Sequence, residues 1–111
     1  MAFPKQKPII GLTVDYEGAG GYSSFPWYAL RENYIRAVIK AGGVPVLLPH
    51  VTSLAEQYIS QIQGLIITGG GFDINPSLYC EEMVHKTVTL KEDRTDFELA
   101  ITKCAIENNI P

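Results

Sequence analysis

The sequence predicts an α/β domain of three layers, with an open and mainly parallel sheet between helices. Three observations lead there. Short β-branched apolar runs at 8–14, 44–48 and 64–68 alternate with stretches of helical spacing, an order that gives parallel strands joined by right-handed helical crossovers. The runs are apolar without polar alternation, as in strands covered on both faces. The third run opens into Thr68-Gly69-Gly70-Gly71, a glycine turn at the carboxyl end of a strand, which is where such sheets bind ligands.

The first strand is Pro8-Ile-Ile-Gly-Leu-Thr-Val14, with turn residues on both sides. Asp15 to Ser24 is rich in glycine and serine and reads as a mobile loop. From about Trp27 to Ala41, Leu30, Tyr34, Ala37, Val38 and Ala41 recur at three- and four-residue steps and share one face of a helix, which Gly42-Gly43 caps. Val44 to Leu48 is the second strand, and Pro45 places it at or near a sheet edge. Ser53 and Glu56 match a capping box, so a helix is expected from Leu54 to about Ile62. Gly64 to Thr68 is the third strand, and Pro76 is suited to start one helical turn after the glycines. Cys80 to Leu90 has no clear period. The last helix spans Asp93 to Asn108, with Phe97, Ala100, Ile101, Cys104 and Ala105 on its apolar stripe.

At 111 residues, 46% hydrophobic and 19% charged, the chain fits one globular domain and is too short for two. A net charge of −3, with nine scattered Lys and Arg, argues against nucleic acid. No apolar run is long enough to span a membrane, and the first eight residues lack the apolar core of a signal peptide, so a cytoplasmic location is expected. Two cysteines are too few for a disulfide scaffold.

Most candidate sites outside the glycine turn weaken on chemical grounds. Cys80, Glu81, Glu82 and His85 match no closed zinc set, and no metal or other cofactor is expected. Gly18-Ala-Gly-Gly21 lacks the dinucleotide-binding spacing, and no Lys-Ser or Lys-Thr follows the triple glycine to make a phosphate loop. His50 reads as a solvated turn histidine, because a general base needs a nucleophile beside it. Arg94 and Asp96 belong to a charged first helical turn, whose ordinary role is capping and solvation, with pairing to substrate as the alternative. Cys104 reads as a core thiol and Cys80 as an unreactive loop thiol.

Four segments resemble the class I glutamine amidotransferase-like hydrolases, and most closely the peptidase C26 or γ-glutamyl-γ-aminobutyrate hydrolase branch. They are Pro8-Ile-Ile-Gly-Leu-Thr13, the stretch Tyr34 to Pro49, the strand and Thr-Gly-Gly-Gly turn running on to Asp73, Pro76 and Tyr79, and Asp93-Arg-Thr-Asp-Phe-Glu-Leu99. In register they cover nearly the whole chain. The resemblance implies a flavodoxin-like sheet and a cysteine hydrolase of γ-glutamyl amides, in which a thiolate attacks the amide carbonyl and backbone N–H groups hold the oxyanion. It implies Gly70 as the oxyanion donor, Gly69 and Gly71 as the residues that shape the turn, and Asp73 and Tyr79 near the substrate's amino-acid end.

The same resemblance places the nucleophile strand directly after the last helix, with the histidine and acid later still. The sequence stops at Asn109-Ile-Pro111, and neither Cys80 nor Cys104 stands at the nucleophile position. The chain alone is therefore expected to be inactive, as the amino-terminal half of such a hydrolase. It then needs its carboxy-terminal half or a homo-oligomeric partner to cover the exposed side of the third strand. A non-catalytic remnant that folds by self-association is the alternative.

Overall fold

The computed structural model describes residues 6–69 and 92–111. Its element order is β1 (Ile9–Thr13), β2 (Asp15–Glu17), β3 (Trp27–Ala29), α1 (Glu32–Lys40), β4 (Val44–Leu48), α2 (Ala55–Ile59), β5 (Gly64–Ile66) and α3 (Glu92–Glu107). β1, β4 and β5 form one parallel sheet in the order β4-β1-β5, with Ile10 opposite both Pro45 and Gly64. The predicted α/β class holds, and the third apolar run lies beside the first. Among the described residues β4 pairs only with β1, so Pro45 sits on an edge strand where its missing N–H costs little.

The pleat of β1 divides the molecule into layers. Gly11 faces Leu48 and Ile62 on one side, whereas Ile10 lies with Val38 of α1 on the other. On the Gly11 side Leu48, Ala55, Ile59, Ile62, Phe97, Ile101 and Ala105 form one continuous core, which joins α2 and α3 to the sheet. The α3 stripe is as expected. Phe97, Ile101 and Ala105 are buried, and Ala100 and Cys104 pack partly buried against them. Tyr58 meets Phe97 edge to face, with ring centroids 5.9 Å apart. Burial, and secondarily Tyr28, raise the pKa of its hydroxyl above the ordinary 10.0.

Both long helices end in the same way. Gly42 takes φ +95°, with N–H bonds from Gly42 to the Ile39 carbonyl and from Gly43 to the Val38 carbonyl. At the end of α3, Asn109 takes φ 55° and the matching pair of bonds runs from Asn109 to Ile106 and from Ile110 to Ala105. These are Schellman stops, at the glycine and asparagine positions that favour left-handed backbone.

Three expectations fail. Asp15–Glu17, expected to open a mobile loop running to Ser24, instead pairs antiparallel as β2 with β3, with Tyr16 opposite Tyr28. Consequently the first helix begins at Glu32, not near Trp27. Arg31 is still extended, and Ala37 and Ala41 of the expected stripe are exposed while Val38 is buried. The capping box does not form either. A 3-10 turn over Thr52–Leu54 leads into α2, neither start carries a side-chain cap, and the Leu54 amide donates to the Val51 carbonyl. The Leu54 and Ala55 amides at this start are taken by the Val51 and Thr52 carbonyls.

Candidate functional site

Side chains take over where the β1–β5 ladder ends. The last registered pair is Leu12 with Ile66, yet Thr68 remains fixed to Thr13. The Thr68 amide donates to Thr13 Oγ1 at 2.9 Å, and the Thr68 hydroxyl donates to the Thr13 carbonyl at 2.7 Å. Thr13 in turn donates its hydroxyl to Glu98 at 3.3 Å. Both hydroxyl protons are thereby used, so the 3.4 Å approach of the two Oγ1 atoms is a contact and not a further bond.

Arg94 completes this clamp. It is fully buried, donates to the Thr68 carbonyl at 2.5 Å and to Thr68 Oγ1 at 3.2 Å, and is paired with Glu98 at 2.5 Å. Its Nη1 lies 3.4 Å from Asp15 Oδ1. One guanidinium therefore ties α3 to the end of β5 and to the hairpin. This corrects the sequence expectation that Arg94 caps or solvates a helix turn. Asp96, two residues on, is exposed.

Gly69 is the first residue of the glycine run, and its amide donates to Tyr34 Oη at 3.1 Å. A Cβ at this position would lie 3.0 Å from that oxygen, a tight contact that the hydroxyl could relieve only by shifting away. Gly70, Gly71, Asp73, Tyr79 and Cys80 lie outside the described residues. Beside Gly69 opens a cavity of about 610 Å³ walled by Asp15, Trp27, Leu30, Arg31 and Tyr34. It lies at the carboxyl side of β1 and β5, where α/β sheets place ligands.

His50 is not a solvated residue. Its Nε2 lies 2.7 Å from the Val14 carbonyl, and its ring stacks on Phe97 with centroids 5.7 Å apart. It also meets Tyr28 edge to face at 5.0 Å, so it buttresses the hairpin against the sheet. A carbonyl accepts only from a protonated nitrogen, which assigns the proton of the neutral ring to Nε2. Nδ1 is buried and has no hydrogen-bond partner among the described residues.

The structure thus brings together Thr13, Asp15, Tyr34, Thr68, Gly69, Arg94 and Glu98. Of these the sequence reading singled out Gly69, with Arg94 in a different role. Tyr34 had been assigned to a core-facing stripe. The available signal was its position in the first turn of the helix that follows the first strand. Among the described residues no group of three or more His, Cys, Asp or Glu could hold a metal ion, and no helix is long and apolar enough to cross a membrane.

Comparison with known proteins agrees with this architecture. The Peptidase C26 family profile matches residues 8–111. A glutamine amidotransferase-like protein of Rickettsia prowazekii is 43% identical over 110 residues, which is 96% of this chain and 39% of the relative. The γ-glutamyl-γ-aminobutyrate hydrolase of Escherichia coli K12 is 31% identical over 94% of this chain and 40% of its own length. A glutamine amidotransferase-like protein of Lactococcus lactis is 34% identical over 93% of the chain and 45% of its own length. The chain therefore spans about two fifths of the length of these relatives. With its parallel sheet, Gly69 held to Tyr34 beyond the end of β5 and a profile match across nearly all its residues, the chain belongs to the Peptidase C26 family.

Proposed function

We propose that this chain supplies the glycine-turn half of the active site of a cysteine-dependent hydrolase of γ-glutamyl amide bonds. The observation that carries the reading is the fixing of the Thr68–Gly69 peptide. Its carbonyl is held by Arg94 and its N–H by Tyr34, and the N–H of the preceding peptide is held by Thr13. A peptide held from three sides gives the glycine run a fixed starting point, and a preorganised donor is what charge stabilisation without reorganisation requires. In the proposed reaction a thiolate adds to the γ-carbonyl, and the oxyanion forms against the Gly70 amide. Collapse then expels the amine, which takes a proton from a histidine, and water releases the acyl group. Gly69 and Gly71 shape the turn, and Asp73 and Tyr79 stand at the amino-acid end of the substrate. The thiol, the histidine and its acid come from the portion that the longer relatives hold outside the matched span. A thiol nucleophile suits the reducing cytoplasm.

The test joins this chain to the complementary portion of the Rickettsia relative and follows γ-glutamyl-p-nitroanilide hydrolysis with and without iodoacetamide. Turnover abolished by alkylation is expected, with none from the chain alone. A folded joined protein without turnover counts against the reading.

A second reading, a remnant that folds by self-association, is favoured by the side of β5 away from β1, where no strand pairs among the described residues. A groove of about 760 Å³ runs between β5 and α3, and Ile67, Leu99 and Ile106 beside it are 47%, 56% and 72% exposed. The Leu65 amide donates to the Pro111 carbonyl at 2.8 Å, so the chain already runs alongside β5 at one end of this groove. A parallel strand continuing from Pro111 fits the slot. Without such a strand the apolar edge is open to a second copy. Sedimentation of the 111-residue chain at micromolar concentration is expected to show self-association. A stable monomer that unfolds cooperatively contradicts that expectation.

A further inference from the structure

The cavity beside Gly69 has a chemical character of its own. Its cation is Arg31, which lines the cavity and has no ion-pair partner among the described residues. Among the described residues of the wall the carboxylate is Asp15, whose Oδ1 accepts from the Tyr16 amide at 2.9 Å and lies 3.4 Å from Arg94. Tyr34 supplies a second donor. Its hydroxyl oxygen accepts from Gly69, and among the described residues its own proton has no acceptor. The first turn of α1, which begins directly after Arg31, carries no side-chain cap and adds positive potential on this side. Trp27 and Leu30 provide apolar wall between these polar groups.

We propose that this cavity binds the carboxylate of a small organic acid, with the Arg31 guanidinium as its cation, the Tyr34 hydroxyl as a second donor and Trp27 and Leu30 against its apolar stem. A planar guanidinium matches the two oxygens of a carboxylate, and a single cation beside Asp15 favours a monoanion over a phosphate dianion. The inference deepens the γ-glutamyl reading, because a carboxylate seated here places the rest of the acid against Gly69. It makes Arg31 and Tyr34 selectors of acid-bearing amides over neutral ones. Only the identity of the acid rests on that reading. Binding itself is measured without turnover, so the two can fail separately.

Trp27 is the chain's single tryptophan, so its fluorescence reports occupancy directly. The experiment titrates the 111-residue chain with phenylbutyrate and, as the uncharged match, phenylbutanol. Saturable quenching by the acid is expected, with the alcohol about tenfold or more weaker. Arg31→Gln should lower affinity for the acid by about the same factor and bring acid and alcohol together, whereas Lys40→Gln, at the far end of α1, should leave both unchanged. Equal binding of acid and alcohol by the unaltered chain overturns the proposal without any variant. So does acid binding by Arg31→Gln at unchanged affinity, or acid binding that leaves Trp27 fluorescence unaltered.

Discussion

Arg94→Met is expected to cost about 3–5 kcal/mol of folding stability, as removal of one partner from a buried ion pair does. The size follows from what is left behind. Glu98, its side chain 11% exposed, keeps a charge but loses its 2.5 Å partner. The buried Thr68 carbonyl loses its donor, and Asp15 loses the cation 3.4 Å away. Leaving such groups unsatisfied costs more than the bonds themselves contribute. Against a typical total of about 5–15 kcal/mol, the loss is about a fifth or more. Arg94→Lys retains the charge, but a single ammonium cannot serve Glu98, Thr68 and Asp15 with the geometry of a five-donor fork, so about 1–3 kcal/mol is expected. Urea denaturation at matched protein concentration measures both, as a lower midpoint with unchanged slope. Amide exchange adds a local readout: the Thr68 N–H, now donated to Thr13, should lose protection in Arg94→Met. A loss below about 0.5 kcal/mol, the scale of an ordinary surface substitution, shows that Arg94 does not hold these elements together.

This cluster also marks where sequence reasoning stops. β1, β4 and β5 were legible because their apolar runs are short, β-branched and bounded by turn residues. The α3 stripe was legible because Phe97, Ile101 and Ala105 recur at helical steps, and the helix stops because Gly42 and Asn109 are residues that tolerate left-handed backbone. Those signals are local. The β2–β3 hairpin is not: Asp15-Tyr-Glu17 and Trp27-Tyr-Ala29 are unremarkable triplets, paired across an intervening loop and packed through Tyr28 on His50. Local spacing therefore extended the first helix back through Trp27. Arg94 failed for a related reason. A charged residue in the first turn of a helix is normally solvated, and only the order β4-β1-β5 with α3 beneath it brings that turn under the end of β5. Gly69 was found, whereas its partner Tyr34 was read as core. A tyrosine at helical spacing gives the same pattern whether its ring packs inward or its hydroxyl reaches a backbone amide.

Gly70→Pro in the intact domain is expected to lower kcat for γ-glutamyl amide hydrolysis by about 10²–10³-fold, the effect of losing one oxyanion donor. The choice of Gly70 over its neighbour follows from the hydrogen bonds on the strand side. The Thr68 amide is committed to Thr13 and the Gly69 amide to Tyr34, so a donor for a developing oxyanion comes from further along the run, where Gly70 is next. Proline removes the N–H, whereas Gly70→Ala keeps it. A donor role therefore predicts a large loss for proline and a much smaller one for alanine, and a role in shaping the turn predicts comparable losses for both. The loss should fall on kcat and kcat/KM alike, as for an interaction made only in the transition state. Phenylbutyrate titration of each variant, read by Trp27, checks that the neighbouring cavity is intact. Proline activity within about tenfold of the unaltered domain, with that binding preserved, would show that the oxyanion is held elsewhere. Gly69 then becomes the informative position. Tyr34→Phe frees its amide from the hydroxyl, and a rise in kcat would identify that amide as the donor.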